Sequence, residues 1–337
     1  MPTLPSLMDS LGQIAQTRTL ARHGARRADV ERALRDGELT RVRRGWFATA
    51  KADADQLRAV ALGGRIGCVS ALRRWGVWSG AGDTLHIQVA ANAARLRREA
   101  GKSSSSTARG VWHPSIDPRL TATREVRLAG VGEPIVHWNE LTGTGGLDWI
   151  VSPGQALAQA LAQALLCQDD EHAIACMDSI LRRGVLKRIE VERVVAELPH
   201  RIRGLLTELT PEADSGWESI FITRVRRGGY SVVAQPEVVG VGRLDGIIED
   251  CVGFEVNGLE FHSGNEAVLR DTGRLLGAQG LGMMMLTVNP PHIHTHWKST
   301  WATVVRVVED AQALRGLRRS RGVALSDAEL AHISGQD

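Results

Sequence analysis

The stretch at residues 242–262, GRLDGIIEDCVGFEVNGLEFH, contains two β-forming runs separated by a short polar break. This arrangement predicts a β-hairpin. If the turn is centred near Cys251, Asp245 lies opposite Asn257 in the hairpin. Glu255 is then diagonal to Asp245, and all three side chains point to one face because side chains two residues apart share a face. A slip of one residue in the pairing would send Asp245 to the opposite face.

Two carboxylates on one face of a sheet repel each other unless a cation lies between them. Asp245 and Glu255 offer oxygen donors, which suit a hard divalent ion such as Mg²⁺ or Mn²⁺. The other interpretation is a solvated sheet face that carries ordinary acidic side chains. The residues alone leave both interpretations open.

The flanking sequence predicts a regular order of elements around this hairpin. A Ser-x-x-Glu pattern begins a helix over 215–227, and YSVVAQP follows it as a strand. A second pattern of the same kind begins a helix over 263–279. GMMMLTV is then an apolar strand, and a last helix covers 297–314. The predicted order is helix, three strands, helix, strand and helix.

This order, together with its acidic residues, resembles the PD-(D/E)XK nuclease superfamily and most closely its Vsr-like branch, named for very-short-patch repair. Members of that group carry a glutamate on the first helix, an aspartate on the second strand, then Glu-x-(Asp/Lys)-Gly-x-x-(His), and a later helix with Arg-Asp. The similarity covers about residues 212–314. The matching residues are Glu218, Asp245, Glu255, Asn257, His262 and Arg270-Asp271.

The resemblance implies a restriction-endonuclease-like αβββαβ core that hydrolyses phosphodiester bonds with Mg²⁺ or Mn²⁺. In such a site, Asp245 and Glu255 would hold the metal. His262 or Asn257 would position the attacking water. Asn257 departs from the family pattern, since that position is usually Lys or Asp and an amide cannot act as a base.

Three further side chains near this site have two interpretations each. Glu218 either caps its helix or serves as a carboxylate beside the metal. Arg270 and Arg274 share one helix face because they are four residues apart. They either clamp a phosphate, with Arg270 neutralising developing charge, or form ion pairs with Asp271 or Glu266.

The first fifty residues predict a small helical module with a basic hairpin. The segment LTRVRRGWFAT alternates as a two-stranded wing with its turn at Arg44-Gly45. Three helices and a wing follow the winged helix-turn-helix plan. The run at 39–47 resembles the L-x-R-V-R-R-G-x-Y pattern in the N-terminal domain of AbiEi-type abortive-infection antitoxins. The predicted helices cover 7–17, 17–23 and 28–36.

Arginine is concentrated in this module. Residues 18–44 carry nine arginines against four acids, which indicates a polyanionic partner. A protein-docking module solubilised by its arginines is the alternative. The arginines expected to contact DNA are Arg26, Arg27 and Arg32 on the recognition helix and Arg41, Arg43 and Arg44 on the wing.

We predict an α/β multidomain protein, because 337 residues exceed one ordinary domain. Between the two modules, an α/β middle region ends in core-forming helices whose apolar residues repeat at three and four. The predicted domains are a winged helix-turn-helix at 1–50, the middle domain with its helical linker at 51–210, a Vsr-like nuclease domain at 211–316 and a C-terminal tail at 317–337.

The composition of the chain indicates the cell compartment in which the protein acts. The hydrophobic fraction of 43% is typical of a globular chain, and no apolar run approaches the ~20 residues of a membrane span. The N-terminus lacks a signal-peptide pattern. The four cysteines are scattered without C-x-x-C spacing, so neither structural zinc nor a disulfide framework is expected. We therefore expect a cytoplasmic protein.

The favoured function is a metal-dependent DNA endonuclease that nicks or cleaves duplex DNA in DNA repair or in defence against foreign DNA. A homodimer or a protein partner is an open alternative to a monomer. A different class of function is a non-enzymatic transcriptional regulator, or antitoxin-like protein, that retains a degenerate nuclease fold. A third is a hydrolase of RNA or nucleotides that uses the same metal site.

Overall fold

The computed structural model describes residues 3–80, 82, 84–90, 93, 108–112, 126–128, 134–139, 153–257 and 265–320. The protein is mixed α/β and divides into two compact units. No helix within these residues is both long enough and apolar enough to span a bilayer. The first unit comprises Met1–Asp169 and Leu186–Arg203, and the second comprises Asp170–Val185 and Gly204–Asp337.

The first unit begins with three helices and a three-stranded antiparallel sheet in the order β1-β3-β2. The turn predicted at Arg44-Gly45 is confirmed, and Gly45 has the left-handed φ of 76° that this turn requires. The elements are α1 (Leu4–Ser10), β1 (Ile14–Gln16), α2 (Thr17–Arg22), α3 (Arg27–Arg35), β2 (Thr40–Arg43) and β3 (Trp46–Ala48).

The predicted helix over 7–17 is wrong at its C-terminal end. Gly12 and Gln13 both have left-handed backbone conformations, with φ values of 70° and 71°. Two such residues in succession end a right-handed helix, and the following residues pair with β3 as β1. The module therefore has a third strand that the amphipathic pattern did not predict.

The rest of the first unit contains a five-stranded sheet in the order β4-β5-β8-β6-β7. The three central strands are parallel, and each edge strand is antiparallel to its neighbour. Helices α5 and α6 pack against each other. The elements are α4 (Ala54–Leu62), β4 (Arg65–Ile66), α5 (Cys68–Arg74), β5 (His86–Ala90), β6 (Ala108–Trp112), β7 (Val126–Leu128), β8 (Ile135–Asn139) and α6 (Pro153–Cys167).

The next helices alternate between the two units. Helix α7 (Asp170–Arg182) belongs to the second unit, where it packs on α10, whereas α8 (Arg188–Ala196) packs on α6 in the first. Helix α9 (His200–Gly204) and a 3-10 turn at Leu205–Thr207 then lead into the second unit. The helices predicted at 154–166, 169–183 and 189–198 are confirmed as α6, α7 and α8.

The second unit contains a four-stranded sheet in the order β14-β13-β12-β9, in which β13 and β14 are parallel and the other pairs antiparallel. The predicted helices and strands occur in the predicted sequence order, with further short elements between them. Strands β10 and β11 and helix α12 were not predicted. The elements are α10 (Gly216–Arg227), β9 (Val232–Ala234), β10 (Glu237–Val238), β11 (Gly242–Arg243), β12 (Gly246–Ile248), β13 (Val252–Val256), α11 (Asn265–Gly280), β14 (Met284–Val288), α12 (Pro290–His294) and α13 (Trp297–Ser320).

The predicted register of the hairpin is wrong by two residues. Ile248 pairs with Val252, so the turn is centred on Asp250 and not on Cys251. Glu249 and Asp250 both adopt left-handed φ values, 49° and 54°, as in the primed turns that close tight hairpins. Neither residue is glycine or asparagine, so the sequence carried little signal for this turn.

The corrected register keeps the acidic residues on one face. Gly246 pairs with Phe254, and continuing the ladder by one residue sets Asp245 opposite Glu255 and diagonal to Asn257. Because the shift is an even number of residues, the side chains remain on the predicted face. Asp245 and Glu255 therefore share one face of the hairpin when the ladder is extended by one residue.

A pair of buried aromatic rings fixes α10 against this sheet. Phe221 of α10 and Phe254 of β13 are both fully buried, and their ring centroids lie 4.9 Å apart. Gly246 leaves the room that Phe254 needs, since a Cβ at that glycine would lie 2.3 Å from the ring and 2.9 Å from the carbonyl oxygen of Val233. Packing therefore requires glycine at position 246, directly after Asp245.

We expect Gly246→Ala to destabilise the second unit by about 1–3 kcal/mol, because the added methyl overpacks a rigid site between a ring and backbone. The matched control is Gly273→Ala in α11, where an added Cβ meets no atom within 4 Å. That change should stabilise the helix by about 0.5–1 kcal/mol. Calorimetric unfolding of both variants measures the difference, and equal shifts in Tm would contradict this account of Gly246.

Candidate active site

Two carboxylates that the sequence singled out, Glu218 and Asp245, come together in the second unit, and a third, Glu255, lies on the adjacent strand β13. Glu218 lies in the first turn of α10, Asp245 immediately precedes β12, and Glu255 lies in β13. The side-chain amide nitrogen of Gln235 donates to Glu218 Oε2 at 2.7 Å and to Asp245 Oδ1 at 3.4 Å. Glu218 at the start of α10 and Asp245 next to β12 thus share one hydrogen-bond donor, the Gln235 amide.

Glu218 is almost fully buried, with 4% of its surface exposed. Its backbone N–H donates to Ser215 Oγ at 3.2 Å, as the capping pattern predicts. Its carboxylate accepts from the backbone N–H of Asp214 at 2.8 Å, one residue before the cap. Helix capping is therefore part of what Glu218 does, while Oε2 also receives the Gln235 amide.

Glu218 is a weaker acid than an ordinary glutamate, mainly because it is buried. Burial raises the pKa of Glu218 to about 7, and the negative charge of Asp245 raises this pKa further, against hydrogen bonds from Asp214 and Ser215 that lower it. A carboxyl group with this pKa is only partly ionised at neutral pH. The site therefore resists holding two negative charges.

Asp245 is held in place by the backbone of the neighbouring strand. The N–H of Val256 donates to Asp245 Oδ2 at 2.7 Å, which ties the carboxylate to the end of β13. Burial raises the pKa of Asp245 above its usual value, while the hydrogen bonds from Val256 and Gln235 lower it. Asp245 as a whole is half-buried.

Glu255 pairs with an arginine from the helix that follows the hairpin. Arg274 Nη1 of α11 lies 3.4 Å from Glu255 Oε1, and both side chains are partly exposed. The positive charge of Arg274 also lowers the pKa of Asp245. The sequence offered a phosphate clamp or a pair with Asp271 or Glu266 for this arginine, and the observed partner is Glu255.

The remaining predicted residues of this site differ in how far the structure places them. Asn257 is exposed at the end of β13, and its backbone N–H donates to the carbonyl oxygen of Val288 at 2.9 Å. His262 lies outside the described residues. Arg270 lies in α11, but its side chain also falls outside the described part of the chain.

Sequence reasoning missed Gln235, which contacts both Glu218 and Asp245. Gln235 has a left-handed φ of 53° although it precedes Pro236. Residues before proline favour extended conformations, and left-handed conformations of residues other than glycine are costly. The only sequence signal was a Gln-Pro pair at the end of a predicted strand. The amide nitrogen of Gln235 carries a partial positive charge and donates to both Glu218 and Asp245, as a bound cation would attract both carboxylates.

The acids do not by themselves form a closed metal cage. A different group of side chains, in the first unit, has the spacing of a metal site. Within the described ranges, one donor atom from each of four residues lies within 4.8 Å of those from the other three: Cys68, His86, His137 and Cys167. The cysteine spacing gave no signal for that group, because its two histidines are 51 residues apart. Cys68 and Cys167, which are far apart in the sequence, thus lie close together in the fold.

The arginines of the N-terminal module form a candidate nucleic-acid interface. Within α3, Arg27 pairs with Glu31 at 2.7 Å, and Arg32 pairs with Asp29. These pairs partly offset the positive charge of the predicted recognition helix. Arg26 precedes α3 and is exposed.

The wing presents further cationic side chains beside this helix. Arg41 lies 5.8 Å from the ring centroid of Phe47, and Arg43 lies 5.6 Å from that of Trp46. Stacking on buried rings orients these guanidinium groups. Arg44 is exposed at the tip of the wing. The wing arginines thus offer positive charge at defined positions.

No protein-family model matches this chain, and no curated protein matches it either.

The raised pKa of Glu218 predicts a pH-dependent loss of stability. The pKa of Glu218 is about 7 in the folded state and 4.5 as the ordinary value. The contribution of Glu218 to the free energy of unfolding is therefore fully present below pH 4.5 and is lost as the pH rises to about 7. Glu218→Gln removes the titration. Measured by urea unfolding with EDTA present, the variant should gain on the order of 2–3 kcal/mol relative to wild type across this window.

The control for this measurement is Glu237→Gln, which neutralises an exposed acid in the same unit. Its stability difference from wild type should stay flat with pH. A flat difference for Glu218→Gln as well would show that Glu218 ionises normally in the folded protein.

Proposed function

We propose that the protein is a metal-dependent endonuclease that hydrolyses phosphodiester bonds in duplex DNA, in DNA repair or in defence against foreign DNA. The observation that supports this proposal is the shared hydrogen bonding of Glu218 and Asp245 to Gln235, with Glu255 on the adjacent strand β13. Buried and half-buried acids that converge in this way suit a site that gains a cation.

The acids fit a hard divalent ion by their chemistry. Asp245 and Glu255 would hold Mg²⁺ or Mn²⁺, because carboxylate oxygens are the donors that these ions prefer. The raised pKa of Asp245 and Glu218 has burial as its main cause, and a cation offsets that penalty. When bound, the ion would polarise a phosphate and lower the pKa of a coordinated water.

The other side chains would orient the DNA phosphate. Arg274 lies beside Glu255, where its guanidinium group can turn to a phosphate oxygen and offset charge that develops during hydrolysis. Asn257 is exposed at the end of β13 and can hydrogen-bond a water or a phosphate oxygen. His262 belongs to the proposal through its motif position and would position the attacking water.

The N-terminal module would supply affinity for duplex DNA. Its order of helices and strands, with α3 followed by the β2–β3 hairpin, supports the winged helix-turn-helix interpretation. Arg26, Arg27 and Arg32 would lie on or before the recognition helix, and the wing arginines would contact phosphates. Phosphate contacts of this kind position a protein without reading sequence.

Asn257 favours a second candidate function. An amide at this position carries neither the positive charge of lysine nor the basicity of aspartate. A DNA-binding regulator or antitoxin-like protein with a degenerate nuclease domain would have the same residue there. In that case the Arg274–Glu255 ion pair would be a permanent part of the fold.

We expect the purified chain to convert supercoiled plasmid to nicked or linear DNA with Mg²⁺ or Mn²⁺, and not with EDTA. Asp245→Asn and Glu255→Gln should each reduce cleavage by at least about a hundredfold, because each removes a metal carboxylate without changing side-chain size. The matched control is Asp250→Asn, which neutralises an exposed acid in the hairpin turn. It should cleave like wild type.

A parallel RNA substrate separates the nuclease classes, since cleavage of RNA alone would favour the RNA-directed hydrolase. If no substrate is cut while the protein still shifts duplex DNA, the endonuclease proposal fails and the regulator interpretation replaces it. Residual cleavage that persists in both acid variants would indicate a contaminating nuclease.

The wing arginines can be tested independently by the salt dependence of DNA binding. For Arg41→Gln with Arg44→Gln, the slope of log K against log salt should fall in magnitude by about 2, since each lost phosphate contact removes about 0.9. Arg306→Gln, which changes an exposed arginine of α13 paired with Asp310, is the control and should leave the slope unchanged. An unchanged slope in the double variant would exclude the wing as a DNA contact.

A further inference from the structure

Two cysteines and two histidines from four separate elements meet inside the first unit. Cys68 begins α5, His86 begins β5, His137 lies in the middle of β8, and Cys167 ends α6. We call this group the Cys₂His₂ cluster. One ligand atom from each of its members lies within 4.8 Å of those from all the others.

The distances in the cluster match those around a small tetrahedral ion. His86 Nδ1 lies 3.0 Å from His137 Nε2, and Cys167 Sγ lies 3.9 Å from His86 Nδ1. Zinc–nitrogen bonds near 2.0–2.1 Å and zinc–sulfur bonds near 2.3 Å place tetrahedral ligands about 3.3 to 3.8 Å apart. Small adjustments of side-chain rotation therefore suffice to surround an ion.

The sheet and its helices bring these donors to one side. Strands β5 and β8 are parallel neighbours in which Gln88 pairs with His137, so His86 and His137 lie two positions apart on the same face. Helices α5 and α6 pack against each other and carry the two thiols. Cys68 and His137 are fully buried, and His86 is 5% exposed.

Neighbouring polar groups hold the ligands in place. The backbone N–H of Cys68 donates to Gln163 Oε1 of α6 at 2.8 Å, which fixes the start of α5 against the end of α6. The backbone N–H of His86 donates to Ser70 Oγ at 2.9 Å. Gly67 makes this approach feasible, since a Cβ there would lie 2.7 Å from Gln163 Oε1.

Four donors of this type define the ligand class. Thiolate sulfur with imidazole nitrogen in a set of four is the ligand combination of structural zinc sites, in which every coordination position is filled by protein. Carboxylate oxygens, which Mg²⁺ and Ca²⁺ require, are not among the four members. We propose that the Cys₂His₂ cluster binds one Zn²⁺ ion in a closed, tetrahedral, structural site.

Interactions within the cluster shift the pKa of two of its members. A hydrogen bond from Cys68 is the main cause that lowers the pKa of the Cys167 thiol, and hydrogen bonds from His137 and His86 lower it further, against burial. Burial is the main cause that lowers the pKa of His137, against a hydrogen bond with Cys167 that raises it.

The zinc would connect segments that are distant in the chain. It would join β5 and β8, two of the three parallel strands, to α5 and α6, and so would stabilise the core of the first unit. Since the site binds only when folded, its binding free energy would add to the stability of this unit. This role is separate from the proposed nuclease site, which lies in the second unit.

The test is the metal content of the full chain, purified under reducing conditions without added chelator and measured by inductively coupled plasma mass spectrometry. We expect about one zinc ion per chain in wild type and less than about a tenth of that in Cys68→Ser and Cys167→Ser. Cys251→Ser removes a buried cysteine of the second unit and is the matched control. It should retain full zinc.

Two spectroscopic measurements on wild type keep the test independent of variants that fail to fold, and a chelation experiment adds a comparison with Cys167→Ser. X-ray absorption at the zinc edge should give two sulfur and two nitrogen ligands. Replacement by Co²⁺ should give intense d–d absorption typical of tetrahedral geometry and a thiolate charge-transfer band. Zinc removal by a chelator should lower the Tm of wild type and leave that of the Cys167→Ser variant unchanged.

Three outcomes would overturn the proposal. The first is wild-type protein that contains no zinc and gives no tetrahedral cobalt spectrum after metal is added. The second is a zinc content that does not fall in either cluster variant. The third is metal-free protein in which mass spectrometry finds a Cys68–Cys167 disulfide, which would make the cluster a redox pair.

Discussion

The pairing of β12 with β13 decides where the acidic side chains of the second unit point. Glu249 and Asp250 take left-handed conformations, and this turn sets the ladder that continues to Asp245 opposite Glu255. At the other end of the ladder, the Asp245 carboxylate receives the Val256 N–H. The side chain that would bind a metal thus also ends the strand pairing, so fold and site depend on the same contacts.

The sequence predicted more of the fold than of the contacts within the site. Capping patterns and apolar periodicity located α10, α11 and the four strands because those signals are local. The register failed because two non-glycine residues adopt left-handed φ, a choice imposed by packing and not by propensity. Gln235 was missed for the same reason, since its strained conformation before Pro236 serves a contact across the fold.

The Cys₂His₂ cluster shows why spacing rules have limits. Short C-x-x-C motifs reveal zinc sites in which ligands come from one turn, whereas here each ligand comes from a different element. Only the parallel pairing of β5 with β8 brings His86 and His137 together, and that pairing joins residues 51 apart. A sequence motif detects ligands that are close along the chain, whereas these four ligands are close only in the folded structure.

The Glu255–Arg274 pair bears most directly on the choice between enzyme and regulator. In an enzyme, Glu255 must exchange the guanidinium group for a metal ion, and the pair is weak enough to permit it, being 3.4 Å long and partly exposed. In a regulator, Glu218 would remain as a helix cap and Asp245 as an acceptor at the strand end, at the cost of burying acidic groups. The enzyme proposal gives that cost a second role in metal binding, and Asn257 is the residue that a nuclease mechanism must accommodate.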